Sequence, residues 1–504
     1  MKKYAHIWIL FIGFLVIAAP FLYYHFPQYY ISPDLTYVKA KALWVMNGRL
    51  FFDPVSGIQT LHPPFYHLFL ALLMRLGGKI DTILFWVSVV NVFLLGLFAY
   101  LALRNVFRKE IAVVTVLLIP FINRYMGSSY LFLASSFTFS LPIFLAGLWV
   151  FLHEREKLGL AILAAFLWGI AYLVSPGYLF LIGFAFLYDL YTRRNWRRFL
   201  ALVITFLITI IPFFYQVYVV LSFYAANSLG QASTFALWRG LPDLAWWGSL
   251  IRNFLAPADR AFMDWHTALV IGIIGIGTIG YIRLKNRHPF PVIALLAYLF
   301  TFYHFSAQYA SRILYIFSIF AAAYAVLWLI SQERYRRVAY AATALLLLYS
   351  TADNVVRNTR YFAEHVDTFK KFDFIISRVQ PKFIQYIRPG GFVLASRQTY
   401  YNYILPYFPA RGLIGARSGE YFQLPEKLAK EMETDFETLI GSTDREQINV
   451  LCIVYGINYA VSFFNDRAPV FGQLENWWQK LYTDGLITIY RRPPALKPPV
   501  EKGG

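Results

Sequence analysis

Apolar residues run through this chain in blocks of about twenty, separated by short polar breaks. A helix rises about 1.5 Å per residue, so roughly 20 apolar residues cross the ~30 Å hydrocarbon layer of a bilayer. About eleven such blocks lie near 7–24, 82–103, 110–123, 130–152, 158–174, 178–191, 199–223, 266–282, 289–306, 312–330 and 337–350. The third and the last are short. The pair flanking Ser175-Pro176-Gly177 also reads as one broken helix, so the pattern predicts ten to twelve spans. After about residue 350 the period changes. Runs at Gly391–Ala395, Val450–Val454, Tyr459–Phe463 and Leu486–Tyr490 predict strands, and the charged amphipathic stretch Pro425–Ile440 predicts a helix. Strands mixed with helices point to a small α/β domain.

The predicted fold class is a polytopic α-helical membrane protein of about 11 transmembrane helices with a C-terminal extracytoplasmic α/β domain. Its parts are a transmembrane domain over 1–350, with outer-loop helices at about 34–47 and 63–78, and a connecting segment over 351–384. The α/β domain follows over 385–492, then a disordered tail over 493–504. Composition agrees: 59% of the residues are hydrophobic and 14% charged, against about 25% charged in a soluble domain. A water-soluble enzyme, a disordered chain and a coiled coil are excluded. The first apolar block follows Lys2 and Lys3 and lacks a clear cleavage site, so it reads as a retained anchor rather than a signal peptide. The single cysteine, Cys452, leaves no intrachain disulfide.

The formal charge of +19 has a topological cause. Basic clusters recur at every second connection: Lys2 and Lys3, then Arg104, Arg108 and Lys109, then Arg155 and Lys157, then Arg193 to Arg198. Two more follow, at Arg283 to Arg287 and at Arg334 to Arg337. The positive-inside rule places these loops, and the N-terminus, on the cytoplasmic side and the C-terminal domain outside. The basic excess therefore sets orientation, and no nucleic-acid partner is called for. Membrane lipids surround the spans.

The first outer loop is the most informative. Pro33 followed by Asp34 puts an acid at a helix start, where the partial positive charge of the N-terminus favours its ionised form. Gly48 ends that helix, and Pro63 and Pro64 open another after His62. Taken singly, Asp34 is a helix cap and His62-Pro63-Pro64 a turn. Together, Asp34-x-x-Tyr37, then Asn47-Gly48, an aromatic and Asp53-Pro54 turn, and His62-Pro63-Pro64-Phe65-Tyr66 resemble the first outer loop of GT-C glycosyltransferases. These are polytopic enzymes that use polyprenyl-phosphate-linked sugars, such as protein O-mannosyltransferases and aminoarabinose transferases. Ser311-Arg312-Ile313-Leu314-Tyr315 is similar to the Arg-Tyr-aliphatic segment that opens a late helix in many relatives. The overall plan of spans followed by an outer domain matches as well. Two departures stand out: Leu35 replaces the second acid of the usual pair, and residues 125–140 carry no acid where many relatives have one.

The resemblance implies a glycosyltransferase that moves a sugar from a polyprenyl-phosphate donor to an acceptor hydroxyl on the extracytoplasmic face, with inversion at C1. It assigns the general base to Asp34 and the donor phosphate to His62 and Arg312, with Tyr37 and Tyr66 as candidate substrate-binding residues. A fixed guanidinium binds phosphate oxygens bidentately, although a cation at a span end also serves as an interfacial anchor. The acceptor class, whether glycan, lipid or protein, is open. No cofactor is called for, and a divalent metal is unsupported by the missing acid pair. Lys39, Lys41 and Arg49 are candidates for drawing an anionic head group to the loop. Asp243, Asp259, Asp264, Asp53 and Asp81 read as solvated or capping acids, and Trp238, Trp246 and Trp247 as an interfacial belt. Walker, GxGxxG, HExxH and Cys-based metal motifs are missing. The glycines of Ile271–Gly280 fit close helix packing. Two other readings remain: a membrane transporter or lipid flippase, which would carry ionisable residues at mid-membrane, and a non-catalytic envelope-assembly protein.

Overall fold

The structure is a computed structural model that describes residues 5–24, 33–52, 64–125, 135–153, 157–226, 243–255, 265–284, 288–304, 307–412, 426–464 and 466–493. Sixteen helices among these residues precede the sheet. They are α1 (Ala5–Tyr24), α2 (Pro33–Met46), α3 (Phe65–Arg75), α4 (Ile80–Arg104), α5 (Lys109–Leu117), α6 (Ile119–Tyr125), α7 (Ser136–Leu152) and α8 (Leu158–Val174). The series continues with α9 (Leu179–Arg193), α10 (Trp196–Thr209), α11 (Ile211–Ala226), α12 (Leu244–Leu255), α13 (Trp265–Arg283), α14 (Phe290–His304), α15 (Ala307–Ser331) and α16 (Arg336–Tyr386). The chain divides into two compact units: 1–35, 76–217 and 234–367 form the first, and 36–75, 218–233 and 368–504 the second.

The first unit is a bundle of apolar helices. Four of them among the described residues, α1, α4, α13 and α15, are long and apolar enough to cross a membrane, and α10 with α11 passes the same test as a pair bent by 45°. The bend has a local cause: Pro212, at the second position of α11, offers no N–H and its ring crowds the carbonyl one turn back. Pro120 does the same where the block at 110–123 breaks into α5 and α6. Three shorter apolar helices of this unit, α7, α8 and α14, accompany these. Their outward faces are apolar too, with Trp8 61%, Ile208 61% and Ile282 63% exposed. Such a surface suits hydrocarbon rather than water, and the chain has the fold of a polytopic membrane protein. The most buried acid among its described residues, Asp189 near the end of α9, pairs with Arg193 at 2.6 Å and Arg198 at 2.9 Å. A cavity of about 200 Å³ lies beside it, lined by Tyr188, Thr192, His288 and Phe290 among others.

In the second unit five strands form one mixed sheet in the order β2-β1-β3-β5-β4. These are β1 (Phe392–Leu394), β2 (Arg411–Gly412), β3 (Tyr459–Phe463), β4 (Gln479–Thr483) and β5 (Ile487–Arg491). β1 runs parallel to β2 and β3, and β5 runs antiparallel to β3 and β4. Alternation along β1 sorts its side chains. Val393 faces a core with Val379 and Phe383 of α16, Ile387 just beyond it, Tyr400, Val461 and Ile489. Phe392 and Leu394 face a second core made by the helices Glu426–Gly441, Arg445–Val454 and Pro469–Trp477. The first core contains one residue from far away in the sequence, Ala40 of α2, and Tyr37 packs against it.

The strand expected at Val450–Val454 is instead the second half of the helix Arg445–Val454. Asp444 caps that helix, accepting from the N–H of Glu446 at 2.9 Å. Ile448 and Cys452, four apart, then turn inward together, while Val450, Ile453 and Val454 stay exposed. A short run of β-branched residues carries no period by which to separate strand from helix. The cap decided it.

Candidate active site

Arg312 lies in the second turn of α15 and meets a break between two other helices of the same unit. α8 ends at Val174, Ser175 is extended (φ −151°, ψ 102°), and Pro176–Tyr178 form a single 3-10 turn before α9. Pro176 suits that first position because its missing N–H is not needed there. Ser175 thereby turns its hydroxyl to Arg312, whose Nη1 donates to it. The guanidinium carbon sits 4.6 Å from the Tyr309 ring centroid and 5.2 Å from that of Phe137. Gly177 allows the close approach: a Cβ there would lie 3.0 Å from Tyr309 Cδ1 and 3.4 Å from Arg312 Cδ.

Around this cation the unit collects hydroxyls. Tyr178 is fully buried, stacks on Phe144 with centroids 4.6 Å apart, and shares a hydrogen bond with Ser140 at 3.2 Å. One turn beyond Arg312, Tyr315 is buried, lies edge-on to Phe137 at 6.4 Å, and its hydroxyl has no hydrogen-bond partner among the described residues. A planar cation held over two rings, with hydroxyls at hand, is preorganised for an anionic oxygen cluster.

The first-loop residues form a separate cluster in the second unit. α2 ends where Gly48 takes φ +81°, a backbone state that only glycine adopts cheaply. Arg75 at the end of α3 donates to the Met46 carbonyl at 3.1 Å, tying the two helix ends together. Between the helices, His67 is fully buried, edge-on to Tyr37 at 6.4 Å and to Tyr66 at 5.7 Å. Complete burial pushes the Tyr66 phenol above its ordinary range, so it is a neutral hydroxyl at physiological pH. Asp34 is in the first turn of α2; its side chain, and all of His62, lie outside the described residues.

The sequence model of a family described as dolichyl-phosphate-mannose-protein mannosyltransferase matches residues 61–221, about a third of the chain. No curated protein matches the sequence significantly. Among solved structures, the chain is similar to ArnT from Cupriavidus metallidurans bound to undecaprenyl phosphate. The TM-score is 0.57 at 13% identity, over 96% of this chain and 97% of that one. It is similar to the mycobacterial arabinofuranosyltransferase AftD (TM-score 0.54, 13% identity, 97% of this chain), spanning only 40% of that protein. A third likeness is to the Archaeoglobus fulgidus oligosaccharyltransferase in complex with Zn and sulfate (TM-score 0.52, 13% identity, 96% of this chain and 73% of that one). The chain shares the GT-C fold of these proteins.

In this chain the structure brings Tyr37 and Tyr66 together through His67, and surrounds Arg312 with Ser175, Tyr309 and Phe137. It changes the view of two lysines. Lys39 and Lys41 have no exposed surface; Lys39 donates to Tyr407 at 3.1 Å and Lys41 to the Phe52 carbonyl. Buried ammonium groups so engaged are structural, not lures for a head group at the loop surface. Arg49 instead lies over the Trp44 and Phe52 rings. Asp243 caps α12, accepting from the Trp246 N–H at 2.7 Å, and Asp81 sits in the first turn of α4; Asp53, Asp259, Asp264 and Trp238 lie outside the described residues. Among the described residues no three His, Cys, Asp or Glu side chains converge on one point. Ser175 was within reach of the sequence as the break between two apolar blocks, whereas Tyr309, Phe137 and Tyr315 carried no signal beyond their apolar surroundings.

Proposed function

We propose that the chain is an integral-membrane glycosyltransferase that takes its sugar from a polyprenyl-phosphate donor and works on the extracytoplasmic face. The observation that carries this reading is the Arg312 guanidinium, stacked by Tyr309 and Phe137 and steadied by Ser175 at a helix break. Placed at the outer end of α15, as the basic loops imply, it meets the depth at which a lipid-linked phosphate lies. The undecaprenyl phosphate bound by ArnT supports the same donor class here.

The reaction is a single displacement. An acceptor hydroxyl oxygen forms a bond to sugar C1 while the bond from C1 to the phosphate oxygen breaks, and the electron pair leaves with the lipid phosphate. The acceptor proton passes to Asp34. Arg312 takes up the charge that grows on the phosphate, and His62 adds a donor to it. One displacement inverts the configuration at C1. Transport is disfavoured by Asp189, an acid within the spans already engaged by two arginines.

Asp34→Asn tests the reading. With membranes carrying the variant and a panel of polyprenyl-phosphate sugars, transfer is expected to fall about 10²- to 10⁴-fold, the usual worth of a general base, while donor binding persists. Transfer at the wild-type rate would remove Asp34 from the mechanism, and vesicle uptake of lipid-linked sugar that survives the change would favour a carrier.

A further inference from the structure

Lys39 is a lysine without exposed surface in the middle of a loop helix. Taking an ammonium out of water is costly, so a lysine persists there only where other groups replace its hydration. Tyr407 does so twice over: Lys39 Nζ donates to its hydroxyl at 3.1 Å and lies 4.5 Å from its ring centroid. Tyr407 is itself 6% exposed and sits beside Ile404, Leu405 and Phe408, all members of the first core of the sheet domain. Ala40, the next residue of α2, belongs to that core, and Tyr37, three residues before it, packs on the core's edge. α2 is therefore part of the C-terminal domain's interior, although more than 300 residues separate the two in sequence.

α2 is continuous from Pro33 to Met46, and five residues of helix span about 7.5 Å. Holding Lys39 therefore holds the turn that carries Asp34. We infer that Lys39 and Tyr407 are a positioning pair through which the C-terminal domain sets the place of the Asp34 carboxylate during sugar transfer. Neither touches the reacting atoms; both act through the helix. The inference rests on the reading of Asp34 as the base.

Two variants of the full-length protein test it. Lys39→Met keeps the volume and removes the ammonium, and Tyr407→Phe keeps the ring and removes the hydroxyl. For Lys39→Met, kcat per folded molecule is expected to fall about 10-fold or more with the donor KM within about twofold. Amide exchange over residues 35–46 should accelerate by a similar factor. Tyr407→Phe, which keeps the ring under the ammonium, should fall by about threefold; if Lys39→Met does not fold, its kcat and exchange decide the matter alone. Met432→Ala, on the other face of the sheet, lowers the melting temperature without moving kcat per folded molecule, and so separates positioning from general loss of stability. Wild-type kcat and exchange in both variants, with Asp34→Asn inactive, would overturn the inference and leave the proposed reaction standing. An active Asp34→Asn removes the base, and the pair's catalytic role with it.

Discussion

The Arg312 guanidinium lies over the rings of Tyr309 and Phe137, and a lysine at the same place would keep the charge and lose the stacking. It would also lose the planar fork that matches phosphate oxygens. Charge-assisted hydrogen bonds are worth about 1.5–3 kcal/mol, so Arg312→Lys is expected to raise the donor KM about 10- to 100-fold. Steady-state kinetics with a lipid-phosphate sugar measure it. An unchanged KM would mark Arg312 as an interfacial anchor instead. The sequence singles out Arg312 because a cation opening an apolar block is conspicuous. Its partners are not conspicuous: Ser175 and Phe137 lie more than 130 residues upstream, and an aromatic residue in an apolar block has no mark of its own. The same limit hid Lys39 and Lys41, since a lysine in a loop helix reads as solvated until a distant segment covers it.

Among the elements, the blocks of apolar residues were legible because hydrocarbon imposes a length, and Pro120, Pro176 and Pro212 punctuate them visibly. The sheet was less so. β1, β3 and β5 follow from runs of apolar and β-branched residues, whereas β2 has two residues and β4 reads Gln-Lys-Leu-Tyr-Thr with polar ends. Both gain their identity from pairing, which sequence spacing does not encode. Helix contact within the bundle was foreshadowed by the glycines of α13. A Cβ at Gly277 would run into the Ala321 carbonyl of α15, and one at Gly280 would come within 2.6 Å of Trp328 Cβ. Gly277→Ala should therefore destabilise the bundle by about 1–3 kcal/mol through overpacking. Gly272→Ala, whose new Cβ meets open space, should be neutral or gain up to about 1 kcal/mol from helix propensity. Thermal melts in one detergent compare the two, and equal effects would show that α13 and α15 separate freely.

For the molecule as a whole, the sheet domain's core takes in α2, a helix from near the start of the chain, and this has a consequence in time. Lys39 and Tyr407 are 368 residues apart. At roughly 5–20 residues per second of synthesis, α2 waits about 20 to 70 seconds for its partner to be made. During that wait its buried lysines face either water or the translocation machinery, and a long-range closure must come last because loop entropy opposes it until the contacts form. The loop helix then completes its packing only after the far end of the chain has been made. Protease protection of residues 36–46 should accordingly be absent in nascent chains arrested before residue 379 and appear once β3 and β5, up to residue 491, are outside. Protection in the shorter chains would mean that another surface shelters the helix first. A quality-control protease that samples this loop would be reading whether translation had reached the far end of the chain.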